Sequence, residues 1–333
     1  MIRMKSNLTY LKKPDLFKVL NQHQDSFFAV IDEAVREHLP DWVKNSKKVF
    51  WLKNPEASKN LATFGEVIGF FLDQGISRSS MLFAIGGGAT TDLAGFVAAS
   101  ILRGISWTSV PTTLLAVVDG SIGGKVAVNM PQGKNLVGAF HAPEKVCICY
   151  DFLSSLSKVE WDSGKGEVLK YGFLSTKISE MILKRESLEL IAHECCEFKQ
   201  KIVEKDFKEE GERIFLNLGH TLGHAFESNL KIPHGVAVAM GIKYLLKVFS
   251  QSELLVEWEK LADSLGISLE ETNLSHYPEF SVDKFKSYML QDKKKNQTSI
   301  RLVLLNKVGS CYVQEIKFQD FLKKIEANED FKS

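Results

Sequence analysis

No apolar run in this 333-residue chain approaches the length of a membrane span, and the opening MIRMKSNLTYLKK lacks the apolar stretch of a secretory signal. Cysteine is scarce. Of the five, Cys147 and Cys149 stand too close in sequence to pair easily, as do Cys195 and Cys196, so no disulfide framework is expected. An excess of one charge is also missing: Lys and Arg number 42 against 41 Asp and Glu, a net charge of +1. Nucleic-acid binding calls for a basic stripe, and the dense basic run here is confined to Lys293-Lys294-Lys295. These absences argue against a membrane or nucleic-acid partner and leave a cytoplasmic globular protein as the expectation.

What is present is ordinary core material, 44% hydrophobic and 25% charged, in a chain long enough for two domains with cores of their own. Phe27–Ile31 (FFAVI), Val49–Leu52 and Met81–Ile85 are short apolar runs of strand type, and residues 61–72 have helical spacing. That alternation predicts a mainly parallel sheet with crossover helices, assigned to residues 1–151. After Asp151 long helical patterns replace the strands, and residues 152–333 are read as a helical domain.

The stretch from Gly86 to Lys134 packs three glycine-rich turns between apolar runs. Gly86-Gly87-Gly88 follows a strand candidate and precedes a helix-like run, where free N–H groups and the helix dipole favour a phosphate. Thr91 stands where a GxGxxG motif has its third glycine, so a plain tight turn is the competing reading. Asp32, directly after FFAVI, fits either a ribose contact at a strand end or a solvated loop acid, and Glu56 with Lys59 fits an ordinary helix start. Asp92 opens DLAGFVAASILRG, small and apolar on most faces and therefore a buried helix, with Arg103 closing it as the cation at its negative end. Gly123-Gly124-Lys125 is not a Walker A motif, because Val126 follows the lysine. With Lys134 and Asn135 in the next glycine-rich loop, it is better explained by an anionic ligand than by solubility.

In the helical half Glu167 and Lys170 are three residues apart and share a helix face, which fits a surface ion pair. The neighbouring Gly164, Gly166 and Gly172 instead imply close packing. The segment Lys199–Arg213 is strongly charged and reads as a solvated helix ending in a turn at Gly211. Asn217-Leu218-Gly219-His220-Thr221-Leu222-Gly223-His224 sets two histidines four residues apart, and His234 follows ten residues later. Three imidazoles and a glutamate offer the donors of a zinc or other divalent-cation site. Spacing alone nominates His220 and His224 as the ligand pair.

Taken together, GGGATTDLAGFVAASILRGI, VPTTLLAVVDGSIGGKVAVN, GKNLVGAFHAP, EVLKYG, LNLGHTLGHAFE, HGVAVAMG and DKK occur in the order found in the 3-dehydroquinate synthases, a family of sugar phosphate cyclases, and the chain resembles that family from about Asp32 to Val313. The resemblance implies an α/β Rossmann-like N-terminal domain, an all-α C-terminal domain and an active site in the cleft between them. It also implies NAD, a divalent metal (Zn2+ or Co2+), a sugar phosphate substrate and a homodimer. The implied metal ligands are Glu167, His220 and His234, which moves His224 to the side of the substrate's phosphate. Implied cofactor positions are Asp32, Glu56, Lys59, Gly87, Gly88, Asp92, Thr112, Thr113, Leu115, Asp119, Lys134 and Ser155. Implied catalytic or substrate positions are Lys125, Lys134, Asn135, Lys170, Lys199, Arg213, Asn217, His224, Lys293 and Lys294, with Asp119. Arg103 resembles an arginine that reaches the partner subunit's site. The implied reaction converts 3-deoxy-D-arabino-heptulosonate 7-phosphate to 3-dehydroquinate and phosphate.

The chain departs from the family pattern at Ala34, Pro55, Gly120, Ser155, Glu212 and Val236, none of them an implied metal ligand. Three other readings compete. A sister cyclase acting on another sugar phosphate shares the chemistry, although Lys199, Arg213 and Asn217 look like a set for a carboxylate-bearing substrate. A glycerol-dehydrogenase-like oxidoreductase shares fold and metal but should lack the KN and DKK elements. A non-catalytic binding protein should have lost ligands that are present here.

Overall fold

The computed structural model describes residues 6–291 and 298–331. They form two compact units, one of the described residues up to Ser157 with Cys196–Lys208 and the other of Lys158–Cys195 with the described residues from Glu209 onward. The sequence reading places a single division at residue 151; in the structure the first unit runs on to Ser157 and takes back a later segment. Side chains hold that segment there: Gln200 Nε2 donates to the Ser6 carbonyl at 3.0 Å, and Val203 and Phe207 pack with Ala142. Among the described residues no helix is long and apolar enough to cross a membrane.

The first unit contains strands β1 (Asn7–Tyr10), β2 (Phe27–Asp32), β3 (Val49–Leu52), β4 (Met81–Gly86), β5 (Trp107–Pro111), β6 (Lys125–Met130), β7 (Gly133–Phe140) and β8 (Lys145–Ile148). Its helices are α1 (Lys13–Asn21), α2 (Asp41–Lys44), α3 (Pro55–Ser58), α4 (Leu61–Asp73) and α5 (Gly88–Ser100). Six strands make a parallel sheet in the order β1-β8-β5-β4-β2-β3. The uninterrupted apolar runs of β2 and β4 follow from this arrangement, because a parallel sheet is covered on both faces. Alternate residues serve opposite layers. Phe28, Val30, Leu82 and Ala84 pack with Val67 and Phe71 of α4 and Leu93 and Val97 of α5. Phe27, Ala29, Ile31, Phe83 and Ile85 face Leu16 and Leu20 of α1.

From β2 the sheet grows outward to β3, and from the adjacent β4 it grows the other way to β5. The reversal between β2 and β4 is a topological switch point, the place where such sheets bind ligands beyond the strands' carboxyl ends. Asp32 and Gly86 are those ends. Helix α5 begins at Gly88, four residues before the expected start. It crosses the sheet closely at Gly95, where a Cβ would lie 2.4 Å from a Val126 methyl and 2.9 Å from the Trp107 ring. The close-packing glycine missing at Thr91 is thus supplied one turn later. Arg103 is not the helix end: α5 stops at Ser100, and Arg103 lies in the following turn, exposed, with φ +68°.

The second unit contains α6 (Lys158–Leu174), α7 (Thr176–Leu183), the first half of α8 (Leu188–Lys205), α9 (His220–Leu230), α10 (His234–Val248), α11 (Ser252–Leu265), α12 (Val282–Gln291) and α13 (Phe318–Ala327). The helical character expected for this half is present, with one addition to an all-α domain: β9 (Ser299–Lys307) and β10 (Ser310–Lys317) form an antiparallel hairpin. Every residue of α10 from Gly235 to Leu246 is buried, Lys243 included. That lysine is satisfied internally, with Nζ 2.6 Å from Asn273 Oδ1 and 4.9 Å from the Trp258 ring centroid, and burial pushes it down to about 8.

Glycines let α10 meet its neighbours backbone to backbone. A Cβ on Gly235 would fall 1.7 Å from the Ser163 carbonyl oxygen, one on Gly166 would fall 1.9 Å from that of Gly235, and one on Gly241 would fall 2.0 Å from that of Gly219. The Gly235 N–H also donates to Ser163 Oγ at 3.2 Å. The close packing expected beside Glu167 is therefore real, and it sets the depth at which α10 enters.

Candidate functional site

In the first unit the switch point carries a glycine turn whose helix start is bare. Gly87 is the N-cap of α5 and contributes no side-chain cap, so the first N–H groups of the helix are available to an anion. A Cβ on Gly87 would come 3.1 Å from Thr113 Cγ2, so the glycine keeps this turn against the loop after β5. That loop is tied back by the Thr112 N–H, which donates to the Gly86 carbonyl at 3.0 Å. Asp32 accepts the Ala34 N–H at 3.0 Å, so its carboxylate is oriented by its own turn.

Beside the glycine turn Lys59 is buried and bridges two predicted positions, with Nζ 2.5 Å from both Asp92 Oδ2 and Asn135 Oδ1. It is not a plain helix-start residue. Burial holds the Asp92 carboxyl above its ordinary value, with the Lys59 ammonium opposing. Asn135 has φ +57°, and its N–H donates to Asn129 Oδ1 at 3.1 Å, while Asn129 Nδ2 donates to Glu56 Oε1 at 3.2 Å. Sequence reasoning passed over Asn129; its signal was a polar residue closing the apolar KVAVN run. Lys134 lies 3.9 Å from Glu56 with both side chains mostly exposed, a pair of little energetic weight.

Leu115 leads into a π-helical turn, Ala116–Gly120, of the kind often found at functional sites. Asp119, its penultimate residue, binds Lys199, whose Nζ reaches both the Asp119 carbonyl and Oδ1 at 2.7 Å. Lys199 is buried, against the expectation of a solvated helix. Lys125 is exposed, and Ser155, also exposed, donates to the Phe152 carbonyl of its own turn.

In the second unit Glu167 is fully buried on α6 and paired with Lys170, itself 1% exposed, so this is no surface ion pair. Two imidazoles face the same carboxylate: His234 Nε2 lies 3.2 Å and His220 Nε2 3.5 Å from Glu167 Oε1. Each ring has its other nitrogen engaged. His220 Nδ1 is 3.2 Å from the Leu218 carbonyl, and His234 Nδ1 is 2.9 Å from Glu227 Oε2. That pattern leaves both Nε2 atoms as donors to a cation.

Burial pushes His220 down to about 3, the neutral form a cation binds, with Glu167 opposing. Burial works against the charged form of His234 too, but hydrogen bonds to Glu167 and Glu227 outweigh it and lift that ring to about 10, so a cation binding at its Nε2 displaces a proton. One ligand atom from each of Glu167, His220 and His234 lies within 4.8 Å of the others. One carboxylate and two imidazoles fit a three-ligand catalytic zinc site with a position left for substrate. His224, the other half of the HxxxH pair, is exposed, with its ring 5.4 Å from that of His220.

Arg213 is buried in the turn Glu212–Asn217, and Asn217 Nδ2 donates to Glu209 Oε1 at 2.5 Å, so neither belongs to a solvated segment. Glu209 had no sequence signal beyond its place in a charged stretch, and Glu227 closes the LNLGHTLGHAFE motif without having been given a role. Lys293 and Lys294 lie outside the described residues.

Comparison with known proteins gives consistent matches. Residues 49–163 match the family model described as "3-dehydroquinate synthase N-terminal", and residues 164–295 the one described as "3-dehydroquinate synthase C-terminal". A 3-dehydroquinate synthase of Clostridium botulinum is 36% identical over 314 residues, covering 88% of this chain and 89% of the relative. Two solved structures share the fold. One is a 2-deoxy-scyllo-inosose synthase complexed with carbaglucose-6-phosphate, NAD+ and Co2+, with a TM-score of 0.81 at 22% identity over 97% of each chain. The other is a 2-epi-5-epi-valiolone synthase from Streptomyces hygroscopicus with NAD+ and Zn2+ bound, with a TM-score of 0.81 at 18% identity over 97% of this chain and 96% of that one.

Proposed function

Because the chain belongs to the 3-dehydroquinate synthase family, we propose that it converts 3-deoxy-D-arabino-heptulosonate 7-phosphate to 3-dehydroquinate and phosphate. The observation that carries this reading is the buried Glu167 carboxylate facing two imidazole nitrogens whose rings are held by their far sides. The reaction oxidises the C5 alcohol transiently, expels phosphate by β-elimination, reduces the ketone again, opens the ring and closes the carbocycle by an aldol step. NAD+ and zinc or cobalt, when bound, supply a reversible hydride acceptor and a Lewis acid that makes an alcohol a better proton donor.

The chain's own residues bind, orient and balance charge. The α5 N-terminus with Gly87 and Gly88 holds the cofactor's phosphates, and Asp32 its ribose. Glu56, Lys59, Asp92, Thr112, Thr113, Leu115, Asp119, Lys134 and Ser155 line the rest of the cofactor. Glu167, His220 and His234 hold the metal. Lys170, Lys199, Arg213 and Asn217, with Lys125, Asn135, His224, Lys293 and Lys294, answer the substrate's carboxylate, hydroxyls and phosphate. Most of these groups are cationic or neutral donors, suited to stabilising negative charge as phosphate departs. The protein acts in the cytoplasm as a homodimer in which Arg103, exposed on its turn, reaches the partner's site.

The reading is tested by measuring phosphate release from the heptulosonate phosphate with and without NAD+, zinc and chelator. Release coupled to dehydroquinate, without net NADH and lost on chelation, is expected. Release only from sedoheptulose 7-phosphate or glucose 6-phosphate would move the protein to a sister cyclase. Arg213→Ala should act mainly on binding, raising KM about 30-fold for a charge-assisted contact of about 2 kcal/mol with kcat little changed. An unchanged KM would remove Arg213 from the substrate set.

A further inference from the structure

Resting on the metal assignment above, we propose that Glu227 is a positioning residue for the metal centre, fixing the ring of His234 and making its Nε2 a stronger donor. The two histidines are held differently. His220 leans on a main-chain carbonyl, that of Leu218 at 3.2 Å. His234 leans on a side chain, Glu227 Oε2, at 2.9 Å from its Nδ1. A carboxylate accepting from Nδ1 leaves the Nε2 lone pair toward Glu167 and pushes electron density into the ring, which a neutral carbonyl does only weakly.

The fold builds this contact from two helix ends. Glu227 lies one turn before the end of α9, and His234 is the first residue of α10. Between them Lys231 takes a left-handed conformation, φ +57°, and its N–H closes the helix on the Glu227 carbonyl at 3.0 Å. The chain therefore turns back sharply, bringing the last turn of α9 beside the first residue of α10. Glu227 is mostly buried, with 14% of its side chain exposed. The residue two beyond the histidine, Val236, is buried and apolar, so the carboxylate partner comes from α9.

The test is zinc affinity of the full chain by chelator competition, read beside the unfolding midpoint of the metal-free protein and the Nδ1–H proton resonance of His234 in zinc-loaded protein. Glu227→Ala should weaken zinc binding about 10- to 100-fold and lose the exchange-protected Nδ1–H signal. Glu227→Gln, whose amide oxygen still accepts from Nδ1–H, should fall between the alanine variant and the wild type. Zinc dissociation constants for both variants within about twofold of wild type would overturn the proposal. Glu167→Ala losing zinc in the same assay would show that the metal assignment itself still stands. Equal affinities in the two Glu227 variants, with a matching fall in unfolding midpoint, would leave Glu227 a packing role and equally overturn it. A wild-type protein that takes up no zinc would sink both.

Discussion

Glu167→Ala is expected to leave the purified protein without bound zinc and to lower phosphate release by about three orders of magnitude, the loss of several kcal/mol of Lewis-acid stabilisation. It should also unfold more easily. Lys170, at 1% exposure, would be left without its carboxylate partner, and breaking a buried pair from one side typically costs about 3–5 kcal/mol. Glu167→Gln separates the two effects. The amide keeps the volume and can still accept from Lys170, though without the charge, so the urea midpoint should fall less than in the alanine variant, while zinc and turnover fall because an amide is a poor cation ligand. Zinc content and activity at wild-type level in the glutamine variant would remove Glu167 from the metal site.

Gly235→Ala should give the largest structural effect of a single methyl group. Its Cβ would sit 1.7 Å from the Ser163 carbonyl oxygen and 2.5 Å from the carbonyl carbon, both backbone atoms that have no rotamer to escape into. Helix α10 must then back away from α6, at about 3 kcal/mol, the upper end for overpacking. Because His234 is the residue before Gly235, the displacement pulls its Nε2 away from Glu167, and zinc affinity should fall with stability. A control comes from α4: at Gly65 and Gly69 an added Cβ would meet nothing within 4 Å, so alanine there should be neutral or stabilise by about 0.5–1 kcal/mol. Equal unfolding midpoints for Gly235→Ala and Gly65→Ala would refute the packing account.

The parts legible in the sequence were those governed by local pattern. Residues 27–31, 49–52 and 81–85 read as strands because covered parallel strands are continuous apolar runs, and β2, β3 and β4 lie there. Residues 61–72 had helical spacing and form α4, which runs one residue further. The elements overlooked have a weak local signal, a competing one, or a partner distant in sequence. β1 is four residues long and pairs with β8, more than a hundred residues away. The β6–β7 hairpin lies within glycine-rich motifs that drew attention as phosphate loops. The π-helical turn has no sequence signature.

The site shows the same split. Spacing alone favoured His220 with His224, since residues four apart share a helix face. It could not show that His234 begins a separate helix seated against Ser163 and Gly166, with its ring turned to Glu167. Lys199 and Arg213 likewise read as solvated charges, and Lys59 as part of a helix-start pair, because burial of a cation depends on groups remote in the chain, such as Asp92 and Asp119.

Helix α10 has one more consequence. Buried without a break from Gly235 to Leu246, it has no wet side from which to fray, so its amides exchange with deuterium only when the surrounding helices come apart together. The proposed ligand at its head is thus mounted on a helix buried along this whole stretch. On the proposed metal assignment, uptake is therefore expected to be a capture event rather than a folding event.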